Sequence, residues 1–325
     1  MNRRMALRIL ALSAAAIATR VDAQQPDRVS IVGFLITHPP VTDKVVQDVR
    51  KGLRQYGYED GKNVRLEVRT ALGQLDRVPG LARELVRLPA DVIVVVNEPA
   101  LLAVRQATNT IPIVMVGDTD DPVTQGWVES YRRPGGNITG IFNADSALRG
   151  KRLEMLKEVL PKMSRVAVFW DPAFSSRQIE ELQRAAEVLR VRLQLIEVLS
   201  AEEIEPAFKT AKRSNADALM LMWSPVFYVH RARVAELALE AALPTISGID
   251  VATEAGCLLS YGSDTHFPFE RVAYYVDRLL KGAKAADLPV EQVSTLRLVV
   301  NLKTAKALGI TIPQSILVRA DKLIR

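Results

Sequence analysis

Apolar and polar positions along the chain fall into two alternating registers. Residues 92–96 and 111–116 are unbroken runs rich in β-branched side chains. They are too apolar for half-exposed strands, so they predict central strands of a parallel sheet covered on both faces. A polar turn and a short helix separate them, and a polar turn follows the second. The same rhythm extends in both directions. Residues 29–36 predict the first strand; Val45, Val46, Val49, Leu53 and Tyr56 then share one helical face, and Gly57 stands where a helix stop belongs. Residues 64–68 predict the next strand, and an apolar helical stripe from Leu75 to Val86 ends at Pro89. A βαβα order of this kind predicts a doubly wound α/β sheet.

Residues 132–140, RRPGGNITG, break the rhythm. Pro134, Gly135 and Gly136 predict a turn or hinge, and residues 138–142 resume as a strand. A second α/β series follows: a helix marked by Leu153, Leu156, Val159 and Leu160, then strands at 166–170, 193–198, 218–222 and 244–247, separated by helices near 179–189, 201–213 and 229–242. Two such halves joined at a glycine-rich point predict two lobes able to move about a hinge.

The N-terminus stands apart. Arg3, Arg4 and Arg8 precede an apolar run at 9–18 that is too short to span a bilayer, and Val21-Asp22-Ala23 fits a small-residue cleavage site. Residues 1–23 therefore read as a secretory signal peptide, by either the general or the twin-arginine route. Its removal lowers the formal charge from +6 to +3, because four arginines and one acid are lost. That is a weak basis for nucleic acid binding. Cys257 stands alone in the chain, so no intramolecular disulfide is possible. The expectation is a soluble, monomeric, periplasmic protein whose stability comes from its core.

Catalytic motifs are few. His38, His230 and His266 have no ligand spacing, and no nucleophile elbow, phosphate loop or GxGxxG after a strand is present. No catalytic residue, metal or cofactor is expected. Asp120-Asp121 before Pro122 reads more readily as a cap than as a ligand contact. In parallel sheets, ligands sit beyond the carboxyl ends of the strands. Position and residue type there select Thr37, His38, Asn97, Glu98, Ala100 and Thr119 in the first half, and Asp171, Phe174, Trp223, Ser224 and Ser247 in the second. Trp223 could equally plug the sheet edge or stack on a ligand.

Six segments carry a family resemblance: 56–69 (YGYEDGKNVRLEVR), 107–115 (ATNTIPIVM), 133–140 (RPGGNITG), 151–161 (KRLEMLKEVLP), and 288–292 with 301–321. Over these the chain resembles the substrate-binding proteins of bacterial ABC transporters, a family that includes tryptophan and tyrosine binders. The resemblance implies a type I periplasmic binding protein, with two doubly wound parallel-sheet lobes joined by a three-segment hinge. It implies a first lobe of residues 28–140 plus 259–292 and a second of 141–258 plus 293–325, with residues 257–261 as the strand returning to the first lobe. It also implies capture of a small polar ligand, an amino acid or related compound, and its delivery to an ABC permease. Where the family has a small, Gly- or Thr-rich turn suited to a ligand carboxylate, this chain has Asn97-Glu98-Pro99-Ala100. Glu98 turned into the cleft would favour an amine; turned to solvent, it would leave the amides of Ala100 and Leu101 for a carboxylate. Two other readings stand beside transport: a ligand sensor of the same fold serving a membrane receptor, and a secreted enzyme, for which no catalytic set is evident.

Overall fold

A computed structural model describes residues 29–37, 41–119, 121–143, 148–172, 179–263, 269–293 and 295–325. The elements run β1 (Ser30–Ile36), α1 (Val41–Gln55), β2 (Val64–Thr70), α2 (Val78–Arg87), β3 (Val92–Val96), α3 (Glu98–Ala107), β4 (Ile113–Asp118) and β5 (Ile138–Asn143). The second series is α4 (Leu148–Val159), β6 (Arg165–Trp170), α5 (Ile179–Leu189), β7 (Arg192–Glu197), α6 (Ala201–Arg213), β8 (Ala218–Leu221), α7 (Pro225–Val229), α8 (Arg231–Glu240), β9 (Thr245–Ser247), α9 (Asp250–Glu254) and β10 (Leu259–Ser263). The chain closes with α10 (Phe269–Leu280), β11 (Glu291–Gln292), β12 (Leu296–Asn301), α11 (Leu302–Ala307), α12 (Gln314–Arg319) and β13 (Lys322–Ile324).

The strands form two sheets. The first, in the order β11-β5-β4-β3-β1-β2, is parallel throughout. The second runs β13-β12-β10-β9-β8-β6-β7 and is parallel except between β10 and β12. Each sheet has apolar layers on both faces, which is why β3 and β8 consist wholly of apolar residues. In β3, Val92, Val94 and Val96 enter one core while Ile93 and Val95 enter the other. In β6, Val166 and Val168 face α4 and α5, while Ala167 and Phe169 face α6 and α8. Fully burying each large side chain among these contributes about 1.5–3 kcal/mol.

The chain passes between the sheets three times: between β5 and α4, between β10 and α10, and between β11 and β12. All three passages join the carboxyl-end rim of one sheet to that of the other. The rims are therefore neighbours, as a cleft between two lobes requires.

Four expectations need correction. The strand expected at 257–261 to return to the first lobe is β10, and it pairs with β9 and β12 in the second sheet. Leu258 and Leu259 are buried with Leu153 and Leu156 in the second-lobe core, which holds the strand there. The return comes only after Ser263, with α10, whose Ala273 packs against Gly52 of α1. Residues 141–143, conversely, complete β5 of the first sheet. The glycine-rich turn at 134–136 is not at a passage between lobes. It precedes β5 at the end of the first sheet far from the cleft, where Gly135 N–H donates to Ala286 O at 3.2 Å. Finally, the helix expected at 229–242 begins earlier and breaks at His230, because Ser224 caps α7 by accepting from Val226 N–H at 3.2 Å, with Pro225 in its first turn.

Candidate functional site

Each sheet has one point where the strand order reverses, and each reversal leaves a crevice at the carboxyl ends. In the first sheet the reversal lies between β1 and β3, in the second between β6 and β8. Polar side chains bridge both. Asn97 Nδ2 donates to Thr37 Oγ1 at 3.2 Å across the first. Ser224 Oγ lies 3.5 Å from Asp171 Oδ2 across the second. All four residues are buried, so the polarity of each crevice is enclosed by protein.

The first-lobe wall is built on a strained turn. Asn97 follows β3 at φ 78° and ψ 163°, a region essentially reserved for glycine. Its amide is held by Thr37 on one side, and on the other Gly117 leaves room for it: a methyl group added at Gly117 would lie 3.4 Å from Asn97 Oδ1. Glu98 is the half-buried first residue of α3. Ala100 turns its methyl into the core beneath α3, so only its backbone can serve a ligand. Thr119, just beyond β4, is 4% exposed, and its hydroxyl has no hydrogen-bond partner. A buried hydroxyl left without a partner costs about 1–3 kcal/mol, which makes Thr119 a candidate contact for a polar ligand atom.

Asp121 does not join this wall. Its carboxylate accepts from Val123 N–H at 2.9 Å, Thr124 N–H at 3.3 Å and the Tyr131 hydroxyl at 2.8 Å. Burial pushes its pKa up, but the hydrogen bonds from Tyr131 and the two amides outweigh that and hold it below the usual carboxylate value. The capping role expected for it is what the geometry shows, at a turn rather than at a helix.

On the second-lobe wall, Trp223 is half-buried directly before Ser224. Ser247 ends β9 and accepts from Ile249 N–H at 3.2 Å. His38 and Phe174 lie outside the described residues. Asn143 at the end of β5, Arg149 and Arg152 in the first turns of α4, and Asp250 at the start of α9 are also buried, and sequence reasoning did not select them. Hydropathy sends arginines in an amphipathic helix to solvent, yet Arg149 and Arg152 are each only 2% exposed. Only the packing of α4 against β9 and β10 reveals them. Among the described residues no cluster of His, Cys, Asp and Glu side chains is placed to hold a metal ion. A groove of about 190 Å³ lined by Arg165, Arg192 and Gln194 lies at the opposite end of the second sheet, away from either reversal.

Two doubly wound lobes, three passages and a polar pair at each reversal define a two-lobed ligand-binding protein of the type I periplasmic architecture. The chain belongs to the ABC transporter substrate binding protein family, whose profile matches residues 28–324. It is 26% identical over 295 residues to a tyrosine-binding protein of Clostridioides difficile (strain R20291), covering 89% of this chain and 83% of the relative. Two solved structures are similar at 27% identity, each covering 91% of this chain and 100% of its own. One is a conserved domain protein from Vibrio cholerae (TM-score 0.81) and the other an ABC domain from Streptococcus pneumonia in complex with L-Trp (TM-score 0.79).

Proposed function

We propose that this protein, exported by residues 1–23 and released into the periplasm, captures an amino acid between its lobes and delivers it to an ABC permease. The observation that carries this reading is the pair of bridged strand-order reversals, Thr37 with Asn97 and Asp171 with Ser224, on rims that the three passages make adjacent. Closure of two such walls excludes water and strengthens each polar contact to the ligand. Trp223 at the mouth supplies a flat apolar face for an aromatic side chain. The names of the relatives, a tyrosine binder and a tryptophan complex, support an aromatic amino acid as the first choice.

A thermal-shift panel of amino acids, amines, nucleosides and aromatic acids tests the reading. A ligand at ~100 times its dissociation constant should stabilise the fold by about 2.7 kcal/mol. L-tyrosine or L-tryptophan is expected to raise the melting temperature. A panel in which no amino acid does so overturns the proposal.

A further inference from the structure

The second-lobe ends of all three passages converge on one short loop, Gly248-Ile249-Asp250, which continues directly from Ser247 of the ligand wall. The first passage enters α4, where Arg152 Nε donates to Tyr261 O of β10 at 2.6 Å. The Arg152 guanidinium fills the space over the loop: a methyl group added at Gly248 would lie 2.7 Å from Nη2. The second passage leaves from β10, whose Gly262 abuts the loop so closely that a Cβ there would sit 1.9 Å from Gly248 O. The third enters β12, where Arg297 pairs with Gly262 in the ladder and reaches Asp250 Oδ2 at 3.4 Å. The Asp250 side chain is only 6% exposed, so this ion pair is shielded from solvent on one side.

We infer that Arg152 and Arg297 are positioning residues that fasten the ligand-wall loop to the hinge, so that capture at the second wall and movement about the passages are one event. Neither needs to touch the ligand. The inference rests on the proposed solute-capture function, but its main readout does not depend on which solute is bound. The backbone adds to the side-chain contacts: with glycine at both 248 and 262, loop and hinge strand meet closely.

The test measures the distance between lobes by electron–electron resonance in the full mature chain, with spin labels at Lys62→Cys and Lys209→Cys. Native Cys257 is buried and its thiol pKa is pushed up to about 12, so it does not compete for the label. Without ligand, Arg297→Met and Asp250→Asn are each expected to broaden the distribution at least ~1.5-fold over the parent, while Arg297→Lys restores it. With L-tyrosine as probe, both uncoupled variants should bind ~5–30-fold more weakly, mainly through faster release, a range consistent with losing one partner of a half-buried pair. An unchanged ligand-free distribution in a folded Arg297→Met or Asp250→Asn protein overturns the inference. If Arg297→Met does not fold, Asp250→Asn decides alone, since it keeps the shape of the side chain. Failure of the parent to bind L-tyrosine or any other amino acid counts against solute capture, and the ligand-free distances still decide the coupling.

Discussion

At the scale of single residues, Glu98 is the position on which the proposed ligand class most depends. It stands at the start of α3, directly after the strained Asn97. If the ligand presents its ammonium group here, Glu98→Gln should weaken binding by about tenfold, the loss of one charge-assisted hydrogen bond. If it presents a carboxylate, the same change should tighten binding; titration calorimetry distinguishes the two. Asp121 governs stability instead. Its pKa is depressed in the folded state, so its contribution is present above the unfolded carboxylate value and is lost as pH falls through the lower folded value. Asp121→Asn should therefore lower the melting temperature at pH 7, where the contribution is fully present, and flatten the acid side of the profile below about pH 4, where the unfolded carboxylate titrates and the two proteins converge. An unaltered acid limb would contradict this.

At the scale of elements, most of the first lobe was legible because β1, β3 and β4 are largely continuous apolar runs, the edge strand β2 alternates apolar and charged residues, and the helices carry apolar stripes. Strands β3 and β4 and the stop at Gly57 followed from residue type alone. What was not legible depends on partners distant in sequence. Residues 257–261 read as apolar strand in either lobe, and only pairing with Ser247 and Val299 assigns them to the second sheet. The buried arginines of α4 were missed for the same reason, as was the true place of the RPGGNITG segment. Its key glycine is Gly140 inside β5, at φ 127°, where an added methyl would lie 2.2 Å from Met115 O in the neighbouring strand. Gly140→Ala should destabilise the protein by more than ~3 kcal/mol through backbone overlap and a disfavoured φ, measured by denaturant unfolding. A loss within 1 kcal/mol would show that β4 and β5 can separate freely. Of the candidate site, Thr37, Asn97, Asp171 and Ser224 were found from strand-end position. Their pairing across the two reversals required the strand order.

At the scale of the molecule, the lobes repeat one plan: a doubly wound sheet, a reversal bridged by two polar side chains, and apolar layers on both faces. The passages make each lobe discontinuous in sequence, so each core depends on chain that is synthesised late. Deleting residues 264–325 should therefore abolish cooperative unfolding of both lobes, not only the second. A truncated chain that still melts cooperatively at the wild-type temperature would refute this.

The packing of α10 on α1 carries that dependence into the life of the nascent chain. Gly52 meets Ala273 so closely that a methyl there would lie 2.8 Å from its Cβ, and Lys51 pairs with Glu270 at 2.5 Å. Until residues 269–280 emerge from the ribosome, the core that Val46, Val49 and Leu53 of α1 share with β1 to β3 lacks Val272, Ala273, Tyr275 and Val276. The first lobe thus remains unfinished through most of synthesis, which would leave the polypeptide loose during the export proposed above.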